Sequence, residues 1–100
     1  MKQGFQEIFN YFGYEKQVEK LWEEFREFQN ELHDIYDHKM SNDNLLNEGV
    51  DVMSLILQFL YDNGIEPQEI VDKFQVRQKR TIRRKNDGYY GSGNNENRRN

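Results

Sequence analysis

Apolar residues recur along this chain at helical spacing, and the breaks between runs mark where the helices end. Phe5, Ile8, Phe9 and Phe12 follow an i, i+3, i+4, i+7 stripe, which predicts a short helix over about 3–12, broken by Gly13. Val18, Leu21, Trp22, Phe25, Phe28, Leu32, Ile35 and Tyr36 sustain a 3.6-residue period and predict a second helix over about 15–38. Glu24, Glu27 and Glu31 fall beside that stripe rather than within it. Ser41-Asn42-Asp43-Asn44 is a turn and N-cap cluster that opens a third helix over about 44–62. Leu45, Leu46, Val50, Val52, Met53, Leu55, Ile56, Leu57, Phe59 and Leu60 leave this helix only a narrow polar strip. A helix so apolar is central to a bundle or is covered on a second side by another subunit. Asn63-Gly64 supplies its stop, and Glu66-Pro67-Gln68-Glu69 starts a fourth helix over about 67–82 with proline in the favoured first turn.

Beyond about residue 80 the pattern fades into Arg83-Arg84-Lys85, and residues 86–100 read as a flexible basic and polar tail. The expected architecture is all-α: an antiparallel four-helix-type bundle over residues 1–85, completed by oligomerisation.

Composition narrows the chemistry. One hundred residues make one small domain, and the absence of cysteine excludes both a disulfide framework and a thiolate metal site. No stretch approaches the roughly 20 apolar residues of a membrane span. The N-terminus lacks the apolar run of a signal peptide, so a cytoplasmic protein without a membrane partner is expected. The net charge of −4 conceals an asymmetry. Residues 1–72 carry 5 Lys/Arg against 16 Asp/Glu, whereas residues 73–100 carry 9 against 2. An acidic body with a basic end either folds its tail over its own acids or binds a polyanion; solvated helix faces are the plainer reading.

Two acidic pairs stand out from the other acids, Glu24-x-x-Glu27 on the second helix and Glu48-x-x-Asp51 on the third. Residues three apart on a helix are neighbours, so each pair offers two carboxylates to one spot. Facing helices would bring all four together, and such a cluster repels itself unless a hard divalent cation, Mg²⁺ or Mn²⁺, occupies it. Either pair alone is weak evidence, because surface helices carry many such matches. Glu7, Glu15, Glu19, Glu31 and Asp34 read as solvated face. Glu48 and Asp51 are harder to dismiss, because they interrupt the most apolar helix, where an unpaired charge is costly. Gly49 between them costs about 1 kcal/mol relative to alanine in a helix, which reads equally as close approach of the facing helix or as a packing accident.

Leu21-Trp22-Glu23-Glu24-Phe25-Arg26-Glu27-Phe28 and Asn47-Glu48-Gly49-Val50-Asp51-Val52 carry a resemblance. Over roughly residues 14–85 the chain resembles MazG-like nucleoside triphosphate pyrophosphohydrolases, the all-α group that includes the all-α dUTPases and dCTPases. Asn47 stands where that family often has a second acid, and Gly49 is unusual there. The resemblance implies a MazG-like bundle in which Glu24, Glu27, Glu48 and Asp51 ligate Mg²⁺. It also implies a nucleoside triphosphate substrate cleaved to monophosphate and pyrophosphate, and a homodimer or dimer of dimers.

No covalent nucleophile is evident, because Ser41, Ser54 and Ser92 have no histidine at a suggestive spacing. Metal-assisted attack by water needs only carboxylates, with Glu27 or Glu24 orienting or deprotonating the water. Lys73, Arg77 and Arg80 share one face of the fourth helix and are candidate phosphate contacts, against the alternatives of a solvated face or an intersubunit salt bridge. Trp22, Phe25 and Phe28 are candidate base contacts at the edge of the site, with core packing the stronger reading at least for Phe25 and Phe28. His33 and His38 lack any metal-ligand pattern. Two competing functions remain: a non-catalytic helical interaction module with a basic tail, and a nucleic-acid binder through residues 73–99. The acidic body argues against the second.

Overall fold

The computed structural model describes residues 1–38 and 42–91, with residues 35–38 described by their backbone alone. Among the described residues the chain forms four α-helices and no strand: α1 (Lys2–Phe12), α2 (Tyr14–His38), α3 (Asn42–Asp62) and α4 (Pro67–Asn86). Order and number match the periodicity. The fourth helix runs to Asn86 rather than stopping near 82, and Arg83, Arg84 and Lys85 occupy its last turn, where the helix dipole favours cations. The side chains of Ile35, Tyr36 and His38, the turn residue Ser41 and the tail from 92 onward lie outside the described residues.

The chain divides into two compact units, Met1–Glu66 and a second that begins at Pro67. In the first, a single residue joins α1 to α2. Gly13 has φ 91°, donates its N–H to Phe9 O at 2.8 Å and accepts from Gln17 N–H at 3.1 Å. A side chain in that left-handed conformation would be strained. At the end of α3, Gly64 (φ 83°) donates to Tyr61 O, and Ile65 N–H reaches back to Leu60 O at 3.1 Å. This pair of bonds satisfies carbonyls the helix would otherwise leave open.

α3 is the central element and packs on both α1 and α2. Phe9, Val52, Leu55 and Tyr61 are buried. The ring of Phe9 meets Phe59 edge-on at 5.1 Å, Phe59 meets Tyr14 at 5.6 Å, and Phe5 stacks on Tyr61 at 6.2 Å. These contacts bind α1 and the start of α2 to the C-terminal half of α3. The middle of α2 lies instead against the beginning of α3, where Phe28 approaches Gly49. The two helices are therefore antiparallel.

Which side of α2 faces α3 differs from the expectation. The covered positions are Gln17, Val18, Leu21, Glu24, Phe28 and Glu31, whereas Trp22 is 65 % exposed and Phe25 and Leu32 are also exposed. Val18, Leu21 and Phe28 of the apolar stripe are thus in the seam, joined there by Glu24 and Glu31, which were expected beside it. α3 meets them with a mixed face: Val52, Leu55 and Gln58 are buried and Glu48 is half-buried, whereas Asn44, Asn47, Asp51 and Asp62 of its polar strip are exposed. As a result Trp22, Phe25 and Leu32 on α2, and Leu46, Val50, Met53 and Ile56 on α3, remain exposed.

The second unit consists of α4 and the turn after it. α4 has no buried residue; Ile70 is half-buried, and Val71, Phe74, Val76 and Ile82 are exposed. The Arg84 guanidinium lies 4.7 Å over the ring of Tyr89, a cation–π contact that holds the turn against the helix end.

Candidate metal centre and adjoining cavity

The antiparallel seam brings acids from two helices to one place. One carboxylate oxygen each from Glu24, Glu27 and Glu48 lies within 4.8 Å of the others. Opposite ligands of an octahedral Mg²⁺ are about 4.2 Å apart, so these oxygens lie inside or just outside one coordination sphere. Asp51 is not in this group. It stands one helical turn beyond Glu48, exposed, and lines a cavity together with Glu24.

The burial of the three differs in a way that bears on their roles. Glu24 is 7 % exposed and pairs with Lys20 Nζ at 3.1 Å, and Lys20 also reaches Glu23 at 3.5 Å. The hydrogen bond and attraction to Glu24 hold the Lys20 ammonium above the usual lysine range. Glu27 is exposed, with neither a hydrogen bond nor an ion pair to any described residue. Glu48 is half-buried, and its Oε1 is buried without a hydrogen-bond partner. Burial first, and then the carboxylates of Glu27, Glu24, Asp51 and Glu31, push the Glu48 carboxyl above the ordinary glutamate range.

Glu31, read from the sequence as solvated face, is half-buried and acts on these acids from outside the converging three. Its Oε2 is buried without a partner, and its charge acts on Glu48. Two buried carboxylate oxygens with no donor are an expensive arrangement for a small protein. Lys20 supplies one positive charge against this concentration of acids, and hard oxygen donors around unfilled acceptor atoms suit a divalent cation of the Mg²⁺ type. The residues present therefore fit the ion that the sequence suggested.

A cavity of about 470 Å³ adjoins the acids, within the usual size of a small-molecule site. Ile8, Phe12 and Leu55 give it an apolar wall; Lys16 and Lys20 add two ammonium groups, one turn apart on α2. Gln17 and Gln58 complete it, each 4 % exposed, joined by a hydrogen bond from Gln17 Nε2 to Gln58 Oε1 at 2.8 Å.

Of the residues singled out in the sequence, Glu24, Glu27 and Glu48 are brought together, with Asp51 at the cavity beside them. Trp22 does not line that cavity. Lys73, Arg77 and Arg80 lie on α4 in the second unit; the first two are exposed, and Arg80 is half-buried with its Nε lacking a partner. Lys16, Gln17, Lys20, Glu31 and Gln58 were missed. For Gln17 and Glu31 a signal existed: with Glu24 they recur every seven residues, interleaved with Leu21 and Phe28. Among the described residues, no helix is long and apolar enough to cross a membrane. No protein-family model, curated protein or solved structure matches this chain.

Proposed function

We propose that this protein is a Mg²⁺-dependent nucleotide pyrophosphohydrolase, cleaving nucleoside triphosphates to monophosphates and pyrophosphate. The observation that carries the reading is the convergence of Glu24, Glu27 and Glu48 from two helices, with buried oxygens of Glu48 and Glu31 left without donors, beside a cavity of nucleotide size. Glu24, Glu27 and Glu48 would hold the ion, with Asp51 the next oxygen donor. A bound Mg²⁺ supplies charge neutralisation for triphosphate oxygens and lowers the pKa of a water.

The chain's own residues divide the remaining work. Glu24 is committed to Lys20, whereas Glu27 is exposed and unpaired, so Glu27 is the group that accepts the proton of the attacking water. That water forms a new bond to the α-phosphorus as the bridging oxygen leaves with pyrophosphate. Lys16 and Lys20 line the cavity and are cations available there to the phosphates; Lys73, Arg77 and Arg80 are candidates from their shared helix face alone. In this reading the exposed apolar faces of α2 and α3 are covered in a homodimer or dimer of dimers, completing a MazG-like bundle.

Incubation of the full chain with a nucleotide panel and Mg²⁺ should release pyrophosphate. Glu24→Ala and Asp51→Ala should each lose metal binding and turnover together. Unchanged turnover in both variants, or no pyrophosphate from any nucleotide, overturns the assignment. The competing reading, a helical interaction module, draws on the exposed Trp22, Phe25, Val50 and Met53. It predicts macromolecular binding that persists in EDTA.

A further inference from the structure

Gln17 and Gln58 are a costly choice for the inside of so small a unit. Each is 4 % exposed, and a pair of leucines would fill the same space without desolvating two amides. Their mutual bond uses one donor hydrogen of Gln17 and the carbonyl of Gln58. That leaves Gln17 Oε1 as an acceptor and the Gln58 amide NH₂ as a donor, with no partner among the described residues. Neither atom is among the fully enclosed orphans of the molecule, and both residues line the cavity. The pair therefore offers one acceptor and one donor side by side at the cavity surface.

Position along the helices gives this offer a direction. Gln17 precedes Glu24 on α2 by the same seven residues that separate Gln58 from Asp51 on α3, about 10 Å at 1.5 Å per residue. One end of the cavity thus holds carboxylates and the other an amide pair, with Ile8, Phe12 and Leu55 as apolar wall and Lys16 and Lys20 alongside. A ligand matching this sequence of surfaces is flat and apolar on its faces, has an adjacent donor and acceptor on one edge, and carries anionic oxygens at the far end.

We infer that the Gln17–Gln58 pair is the nucleobase reader of the site, hydrogen-bonding the edge of a base whose phosphates lie toward Glu24 and Asp51. This rests on the nucleotide chemistry proposed for the carboxylates, and assigns specificity to two residues outside them. The base enters against Phe12 and Ile8, and its adjacent donor and acceptor meet Gln17 Oε1 and the Gln58 NH₂. The amides can turn over together, so the same pair serves an amino–ring nitrogen edge or a carbonyl–NH edge.

Calorimetric titration of the full chain in Mg²⁺ tests this with two probes: an α,β-imido nucleoside triphosphate and imidodiphosphate, which lacks a base. In the double variant Gln17→Leu/Gln58→Leu, both amides are replaced together, the change that best spares folding. Its affinity for the nucleotide analogue should fall about tenfold or more, while imidodiphosphate binds as in the parent protein. Phe12→Ala, which removes a half-exposed wall residue outside the buried core, should give the same selective loss and keeps the test open should the double variant not fold. Equal loss for both probes, or no loss for the nucleotide, overturns the base-reading role. A parent protein that binds imidodiphosphate and the nucleotide equally well overturns it too, yet leaves the metal–phosphate chemistry standing. Binding of neither probe removes both.

Discussion

Phe28 and Gly49 set the separation of the two acid-bearing helices: a Cβ at Gly49 would lie 3.4 Å from Phe28 Cε1. An added methyl would thus touch the ring at ordinary contact distance, in the part of the seam where Glu27 and Glu48 come together. Gly49→Ala exchanges a contact with one ring atom for about 1 kcal/mol of helix propensity, so the variant should be as stable as the parent or slightly more so. Gly49→Val should lose about 1–3 kcal/mol through overpacking and weaken Mg²⁺ binding, because the helices are forced apart. Urea unfolding and metal titration of the two variants check the pair of outcomes. Equal stability and metal affinity in Gly49→Val would show that the approach is not limiting.

Glu31 is the acid whose role the structure most revises. With its buried Oε2 unsatisfied and its charge acting on Glu48, Glu31→Gln should raise the metal-free melting temperature by a few °C, on the order of 1 kcal/mol or less. Glu7→Gln and Glu19→Gln, changes on exposed positions, should leave it within experimental scatter. Identical behaviour of all three would return Glu31 to the solvated face.

Acidity should favour the metal-free protein. The Glu48 carboxyl is held above the ordinary glutamate value of about 4.3, first by burial and then by Glu27, Glu24, Asp51 and Glu31. Between the unfolded and folded pKa values the folded state keeps a proton that the unfolded chain has released. This contribution to stability is fully present below the unfolded pKa and is lost as pH rises through the folded pKa of Glu48. In EDTA, Glu48→Gln should flatten that part of the stability–pH curve, whereas Glu7→Gln should not. Chemical denaturation across the pH range upward from the ordinary glutamate value measures it; parallel curves for parent and Glu48→Gln would contradict the assignment.

The exposed apolar stripes of α2 and α3 predict association. Trp22, Val50 and Met53 lie outside the seam, so a charge there scarcely disturbs the fold of one chain. Met53→Glu should leave a lone chain's stability within about 0.5 kcal/mol, yet shift the sedimentation of the parent assembly to that of a single chain. A parent that already sediments as a single chain at high concentration removes the proposed oligomer.

Helix positions were legible because they depend on local spacing and on the signals at Gly13, Asn63-Gly64 and Pro67, each acting over a few residues. The pairing of Glu24-x-x-Glu27 with Glu48-x-x-Asp51 was legible as a possibility, because only about twenty residues separate the pairs, enough to leave one helix and enter the next antiparallel to it. The rotation of α2 was not. Periodicity specifies the angle between Trp22 and Glu24 but not which of them meets α3, and hydrophobicity alone favoured the tryptophan. Contact with α3 decided for Gln17, Glu24 and Glu31 alongside Val18, Leu21 and Phe28, leaving Trp22, Phe25 and Leu32 outside the seam. The joining of Gln17 to Gln58, 41 residues apart, likewise depends on register across two helices, which no local pattern records. Sequence by itself determined the four helices and the carboxylates worth watching; only packing determined which side of α2 they occupy, and that a fifth acid and two amides share their cavity and its surroundings.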